Sequence, residues 1–152
     1  MKEVLRIEKL GSKDLAYFKA LIKLFEEVFE MNKLSVPKNE YLSKLLTQER
    51  FHVFVALYAD TVIGGLTAYT LEPYYGIKPL AYIFDLAVSR HWQRKEVGSR
   101  LIARTKSYFR ENGYEELFVQ AHKIDKHAIN FYRKTKPSEE GDVFHFSYSL
   151  NT

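Results

Sequence analysis

The feature that most constrains this chain is an unbroken succession of three segments between residues 81 and 121. The run "AYIFDLAV" (81–88) is apolar at nearly every position, as a strand covered on both faces should be. A charged turn, "HWQRKE", follows and leads into an amphipathic helix. The helix runs to Gly113, a residue suited to the position just past a helix end. "EELFVQA" then reads as a second strand. A strand, a helix and a strand in this order form a crossover, so the two strands should be parallel neighbours. A ligand is expected at their carboxyl ends, beside the charged turn.

The remaining elements build around this unit. "VLRIE" (4–8) alternates as a first strand, and Ser12 or Asp14 is placed to cap a helix. In that helix Leu15, Phe18, Leu21, Ile22, Phe25, Val28 and Phe29 recur at helical spacing. "MNKLSVPKN" (31–39) reads as a loop, and Tyr41, Leu42, Leu45 and Leu46 mark the buried face of a shorter second helix. Residues 51–58 and 62–71 flank a tight "ADT" turn and read as a hairpin, with Gly64 and Gly65 permitting a bulge or close packing. "EPYYGIKP" (72–79) is a loop, a helix begins near Asp125, and "DVFHFSYSL" (142–150) closes the chain as a strand. The expected class is mixed α/β: one domain spanning 1–152, a central mixed sheet with helices on both faces, and a parallel strand pair.

Composition removes several functions. The chain has 152 residues, 46% of them hydrophobic, which is enough for a packed core. It contains no cysteine, so thiolate metal sites and a cysteine nucleophile are excluded, and a reducing cytoplasm is the expected setting. No membrane span or signal peptide is read. The net charge of +4 suits an anionic ligand, but no Lys/Arg run exceeds two residues, so nucleic acid is not an expected partner. The five histidines lack metal-ligand spacing, and no metal is expected. No serine nucleophile elbow is present.

Three groups of residues carry candidate chemistry. A helix N-terminus presents unpaired N–H groups and a partial positive charge to an anion, and here it carries Gln93, Arg94 and Lys95. Glu96 stands in the same turn, either as an ordinary first-turn acid or as a charge repelling the anion. Asp85 interrupts an apolar strand, where a carboxylate must find a partner or face a cavity. It reads either as a group orienting and deprotonating an amine or as a buried acid fixing a loop. Glu26, Glu27, Glu30 and Glu72 offer further carboxylates, and Tyr74 and Tyr75 either line a pocket or pack as a surface turn.

The stretches "YIFDLAVSRHWQRKEVGSRLI", "ELFVQA" and "AINFYRK" resemble the GNAT superfamily of acyl-CoA-dependent N-acetyltransferases. In wording and spacing "YIFDLAVS", "FVQA" and His145-Phe146 are most similar to the type I aminoglycoside 3-N-acetyltransferases. The resemblance implies acetyl-CoA as cosubstrate, held by Leu86, Ala87 and Val88 of the strand, by Gln93, Arg94, Lys95, Val97, Gly98 and Ser99 of the turn, and by Asn130. It implies that Tyr132 protonates the departing thiolate and that Asp85 serves the amine. Glu27, Glu30, Tyr75 and His122 then stand near a small-molecule amine acceptor. A homodimer is admitted; no nucleic acid and no membrane is expected as partner.

Two departures stand against the family pattern. Glu96 replaces a glycine of the pyrophosphate turn, and Thr135-Lys136-Pro137 replaces a glycine after the tyrosine helix. Both favour the alternative of a non-catalytic domain that binds a ligand or partner through the same cleft. The resemblance further implies that the strand 82–88 splays from the strand 117–120.

Overall fold

The computed structural model describes residues 4–31 and 35–151; residues 32–34, inside the expected 31–39 loop, lie outside it. In chain order the elements are β1 (Arg6–Lys9), α1 (Leu15–Val28), α2 (Asn39–Thr47), β2 (Phe51–Tyr58), β3 (Thr61–Leu71), β4 (Leu80–Val88), α3 (Val97–Glu111), β5 (Glu116–Val119) and α4 (Lys126–Lys134). The five strands form one sheet in the order β1-β2-β3-β4-β5. The first three pairings are antiparallel, and β4 with β5 is parallel, as the crossover requires. No helix of the described residues is long and apolar enough to cross a membrane.

Strand β2 shows how the sheet is covered. Successive side chains of a strand point to opposite faces. Phe51, Val53, Val55 and Leu57 join one core with Phe18, Leu21, Leu24 and Phe25 of α1 and Leu42 and Leu46 of α2. The alternate residues His52 and Phe54 meet α3 instead, with ring centroids 4.9 and 6.2 Å from that of Phe109. Helix α3 buries Val97, Leu101, Ile102, Thr105 and Phe109, the spacing that puts one helical stripe on a sheet. The hairpin β2–β3 turns at Ala59 and Asp60, both at positive φ, as a two-residue hairpin turn demands. Gly65 lies where α1 crosses β3: a Cβ there would stand 2.6 Å from Leu21 Cδ1 and 2.7 Å from the Phe54 carbonyl oxygen.

Several expectations need correction. Strand β1 occupies 6–9 rather than 4–8. Asp14 sits at the N-cap position of α1 without capping it, because its carboxylate accepts from the Gly11 N–H at 2.7 Å. Helix α3 begins at Val97, preceded by a separate 3-10 turn over Arg90–Trp92 and an extended Gln93. The expected terminal strand over 142–150 does not form, and those residues are exposed. A strand needs a ladder partner for its backbone groups, and alternation alone does not supply one.

The chain divides into two compact units, Met1–Gln120 and Ala121–Thr152. The first holds the whole sheet with α1, α2 and α3. The second holds α4, begun by Asp125, whose carboxylate accepts from the Ala128 N–H at 3.0 Å.

Buried His52 and half-buried Thr70 and Tyr114 form a polar chain. His52 Nε2 and Tyr114 Oη both lie 2.7 Å from Thr70 Oγ1. His52 Nδ1 is buried without a partner among the described residues. Burial, with Lys9 nearby, pushes the imidazole down to about 4.

Two predictions follow from this packing. Gly65→Ala should destabilise the fold by about 1–3 kcal/mol in a urea titration, because one of the two clashing groups is backbone and cannot rotate away. Folded His52 stays neutral where its unfolded counterpart, near 6.5, binds a proton. Its contribution is therefore present above pH 6.5 and is lost as the pH falls toward 4, by about 3 kcal/mol in all. His52→Gln should remove that part of the acid-side slope, visible as converging unfolding curves of variant and wild type at low pH.

Candidate functional site

The site begins where β4 loses a neighbour. Its pairing with β5 covers Leu80↔Glu116 to Ile83↔Val119 and stops there. On the β3 side the ladder continues to Gly64↔Val88, with a shift in register: Thr67 opposes Asp85 and Ala68 opposes Ile83, so Phe84 is an extra residue. This bulge bends β4 and leaves Phe84 without a ladder partner and exposed. Beyond it, β5 has ended at Val119, and residues 84–88 have no ladder partner on that side among the described residues. The parallel pair expected from the crossover is present, and the bulge, which no sequence pattern announces, lies where its pairing ends.

Asp85 follows the bulge and is half-buried. Its carboxylate makes no hydrogen bond or ion pair among the described residues, and desolvation raises its affinity for a proton. The Tyr69 phenol is also pushed up, by burial first, then by Tyr41 and by the Asp85 charge, so the two groups share an environment. Leu86 is half-buried, while Ala87 and Val88 are buried in the sheet.

The turn after β4 is held from inside. Ser89 N–H donates to the Ile63 carbonyl at 2.8 Å, and Gln93 Nε2 donates to the Val88 carbonyl at 3.0 Å. Gln93 therefore ties the turn to the strand end. Lys95 Nζ stands 5.2 Å above the Trp92 ring, which packs on Tyr58 with centroids 4.7 Å apart. Arg94 is exposed.

Arg94 and Glu96 adopt left-handed backbone, with φ of 62° and 65°. Glu96 is the N-cap residue of α3 rather than a first-turn acid, and its side chain makes no capping bond. Of the two readings of Glu96, that of an ordinary first-turn acid does not hold. A carboxylate residue holds the conformation glycine takes most readily, at a cost of about 1–2 kcal/mol. Helix α3 accordingly starts with no side-chain cap. Its first internal bond runs from the Arg100 N–H to the Glu96 carbonyl, leaving the N–H groups of Val97, Gly98 and Ser99 to an external acceptor. The uncapped helix start and the two left-handed residues before it suit an anion; the open side of β4 suits an extended amide-bearing chain.

The expected acceptor residues scatter. Glu30 is exposed and paired with Arg90 at 3.1 Å, next to a cavity of about 130 Å³ lined by Glu27, Val28, Ser89 and Arg90. Glu27 and Glu30 are thereby gathered at the end of α1, beside the residues that follow β4. Glu72 pairs with Arg50 at 2.9 Å. Tyr75 is 73% exposed and packs edge-on against Tyr74 on the surface. His122, Asn130 and Tyr132 belong to the C-terminal unit. His122 and Asn130 are exposed, and Tyr132 is half-buried on α4, with its ring centroid 5.0 Å from that of Phe131. Lys136, the second departure from the family pattern, also takes a left-handed φ of 57° and ends α4 as a glycine would. Both departures thus keep the glycine-type backbone.

Relief of this strain is measurable. Glu96→Gly should stabilise the fold by about 1 kcal/mol, raising the melting temperature by about 2–4 °C. A glycine replacing an ordinary first-turn helix residue would lower it.

Comparison with known proteins places this geometry. The model of the acetyltransferase (GNAT) family matches residues 18–135. A comparison with curated protein sequences gives no match. Among solved structures, the chain is similar to the aminoglycoside acetyltransferase meta-AAC0020 from an uncultured soil metagenomic sample. In complex with trehalose that protein shows 54% identity over 97% of both chains at a TM-score of 0.95, and in complex with sisomicin 53% over 97% of both at 0.96. A second aminoglycoside acetyltransferase from such a sample, HMB0005, shows 28% identity over 96% of this chain and 99% of its own, at 0.84. The aminoglycoside N-acetyltransferase AAC(6')-Iy in complex with CoA shares the fold at 13% identity and 0.78. With its parallel strand pair, its open helix start and a family match over most of its length, the chain belongs to the GNAT family and is an acetyltransferase that moves an acetyl group onto an amine.

Proposed function

We propose that the acetyl donor is acetyl-CoA and that the acceptor is an aminoglycoside, attacked through its 3-amino group as the branch resemblance implies. The observation that carries the donor is the coincidence, on consecutive segments, of a β4 edge unpaired beyond Ile83 and an uncapped α3 N-terminus. A pantetheine arm is an extended chain of amides that can pair with the open side of residues 84–88. A pyrophosphate is an anion for the N–H groups of Val97, Gly98 and Ser99. Arg94 adds positive charge, Gln93 keeps the turn in place, and Asn130 contributes from α4. The acceptor is supported by the 53% identity to a protein whose structure is a complex with sisomicin. The setting read for the reaction is the cytoplasm.

In this reading two side chains move protons. An ammonium cannot attack a thioester, so the Asp85 carboxylate takes its proton and leaves a free amine. Burial favours that transfer by raising the proton affinity of the acid. The nitrogen bonds to the thioester carbon, the carbon–sulfur bond breaks, the Tyr132 hydroxyl gives its proton to the leaving thiolate, and the proton that the new amide nitrogen sheds restores the phenol. A phenol suits this step because it is neutral at working pH and donates to a thiolate. Glu27 and Glu30 supply negative charge for a polycationic acceptor, with Glu30 already neutralised in part by Arg90. Tyr75 and His122 complete the acceptor side.

Thiol release with acetyl-CoA and sisomicin tests the assignment: saturable turnover is expected. Turnover with simple amines but none with any aminoglycoside would overturn the acceptor. Acetyl-CoA at ~100 times its dissociation constant should stabilise the protein by about 2.7 kcal/mol.

Tyr132→Phe should lower kcat by about 100- to 10,000-fold with acetyl-CoA affinity nearly unchanged, because the phenol acts on the leaving group. Asp85→Asn should lower kcat/KM for the amine and flatten the acid limb of its pH profile, since protonation of Asp85 already disables that limb in the wild type. Glu96→Gly should tighten acetyl-CoA binding a few-fold, less as salt rises, by removing a like charge from the turn.

A further inference from the structure

The bulge in β4 also decides which side chains stand around Asp85. Residues directly opposite one another in a ladder share a face of the sheet. Phe51 and Val53, which join the core formed with α1 and α2, oppose Tyr69 and Thr67. Tyr69 and Thr67 in turn oppose Tyr82 and Asp85, and Tyr82 opposes Phe118 of β5. Tyr69, Tyr82, Asp85 and Phe118 therefore lie on one face. A bulge sets two residues against one, and the extra residue, Phe84, turns its ring to that same face. Its centroid lies 5.8 Å from that of Tyr69 and 6.4 Å from that of Tyr82, with both pairs edge-to-face. Tyr82 stacks on Phe118 at 5.0 Å. Tyr69, Phe84, Tyr82 and Phe118 thus make a continuous row of rings across β3, β4 and β5, with a carboxylate next to its middle.

This row is not closed core. Phe84 is 59% exposed and Tyr69 39%, and Tyr82, Phe118 and Asp85 are half-buried. Nor is it committed elsewhere. The Asp85 carboxylate has no hydrogen-bond or ion-pair partner among the described residues, whereas Glu30 and Glu72 are paired with Arg90 and Arg50. The cation–π contacts among the described residues, Lys9 over Tyr108 and Lys95 over Trp92, use other rings. Ring faces carry negative partial charge, so exposed rings around an unpaired carboxylate make a surface that is apolar and negative at once. A complementary ligand has a flat C–H face and positive charge at its rim. An aminated six-membered ring has both. A flexible polyamine has the charge without the face.

We propose that Phe84, backed by Tyr69 and Tyr82, is the platform for the acceptor ring that bears the attacked amine, with the ring's C–H face on Phe84 and its ammonium at Asp85. Phe84 is then the residue that selects ring-borne amines over linear ones. Asp85 alone does not make that choice, because both kinds of amine offer it the same charge. The bulge brings the two contacts together by placing consecutive residues on one face. This inference rests on the reading of the acceptor as an aminoglycoside and adds the side chain that discriminates among amines.

Calorimetric titration of the full chain, with no acetyl donor present, tests it. Sisomicin serves as the ring-borne polyamine and spermine as the linear one. Phe84→Leu keeps apolar bulk and removes the ring, and Phe84→Tyr keeps the ring. Phe84 is exposed, so both variants should fold, and the melting temperature checks this. The wild type should bind sisomicin at least about tenfold more tightly than spermine. Phe84→Leu should shrink that ratio about tenfold, and Phe84→Tyr should restore it to within about twofold of wild type. A ratio unchanged in Phe84→Leu, no recovery in Phe84→Tyr, or a wild type that does not prefer sisomicin would each overturn the platform. Thiol release keeps this separate from the acceptor reading. Sisomicin bound through the ring at position 84 yet never acetylated sinks the acceptor reading and leaves the platform. Sisomicin acetylated with equal KM by wild type and Phe84→Leu leaves the acceptor reading and sinks the platform.

Discussion

The organisation of this protein depends on the uneven hydrogen bonding of β4. One side of the strand is paired along nearly its whole length with β3, and the other with β5 only from Leu80 to Ile83. Full pairing on one side holds the strand in place in the sheet. Half pairing on the other leaves a row of backbone donors and acceptors beside it, in a sheet otherwise covered by α1 and α2 on one face and α3 on the other. Unpaired backbone is costly when buried, so such a gap persists where water or a ligand satisfies it. The extra residue Phe84 makes the gap possible, because a bulge bends one strand away from its neighbour without breaking the ladder on the far side. Asp85 inherits its position from the same bulge.

The turn that follows illustrates how backbone conformation can outlast the residue that favours it. Glu96, where the resemblance puts a glycine, and Lys136, in the stretch Thr135-Lys136-Pro137 where it puts another, both hold left-handed φ. The constraint comes from the neighbouring structure. Gln93 anchors the turn to the Val88 carbonyl, and α3 is seated by Val97 and Leu101, both buried, so the chain between them must reverse within a few residues. The packing energy of α3 against the sheet outweighs a local strain of one or two kcal/mol. What changes with the substitution is charge and bulk at the surface of the turn, while the N–H groups keep their direction.

Periodicity and punctuation by themselves determined the element order through α4, the parallel β4–β5 pair, the hairpin at Ala59-Asp60 and the two-sided covering of the sheet. These follow from side-chain burial at period 2 or 3.6 and from the connection a parallel pair needs, all written locally. The family resemblance pointed to the turn after β4. The bulge at Phe84, the left-handed Arg94 and Glu96, the start of α3 at Val97, the His52–Thr70–Tyr114 chain and the ion pair that occupies Glu30 were decided by tertiary structure. Each depends on what lies across a ladder or behind a helix, and that neighbour is distant in sequence. The segment 142–150 is the clearest case. Its alternation reads as a strand, but a strand exists only where a second backbone accepts its hydrogen bonds, and the described residues 142–150 are not in one.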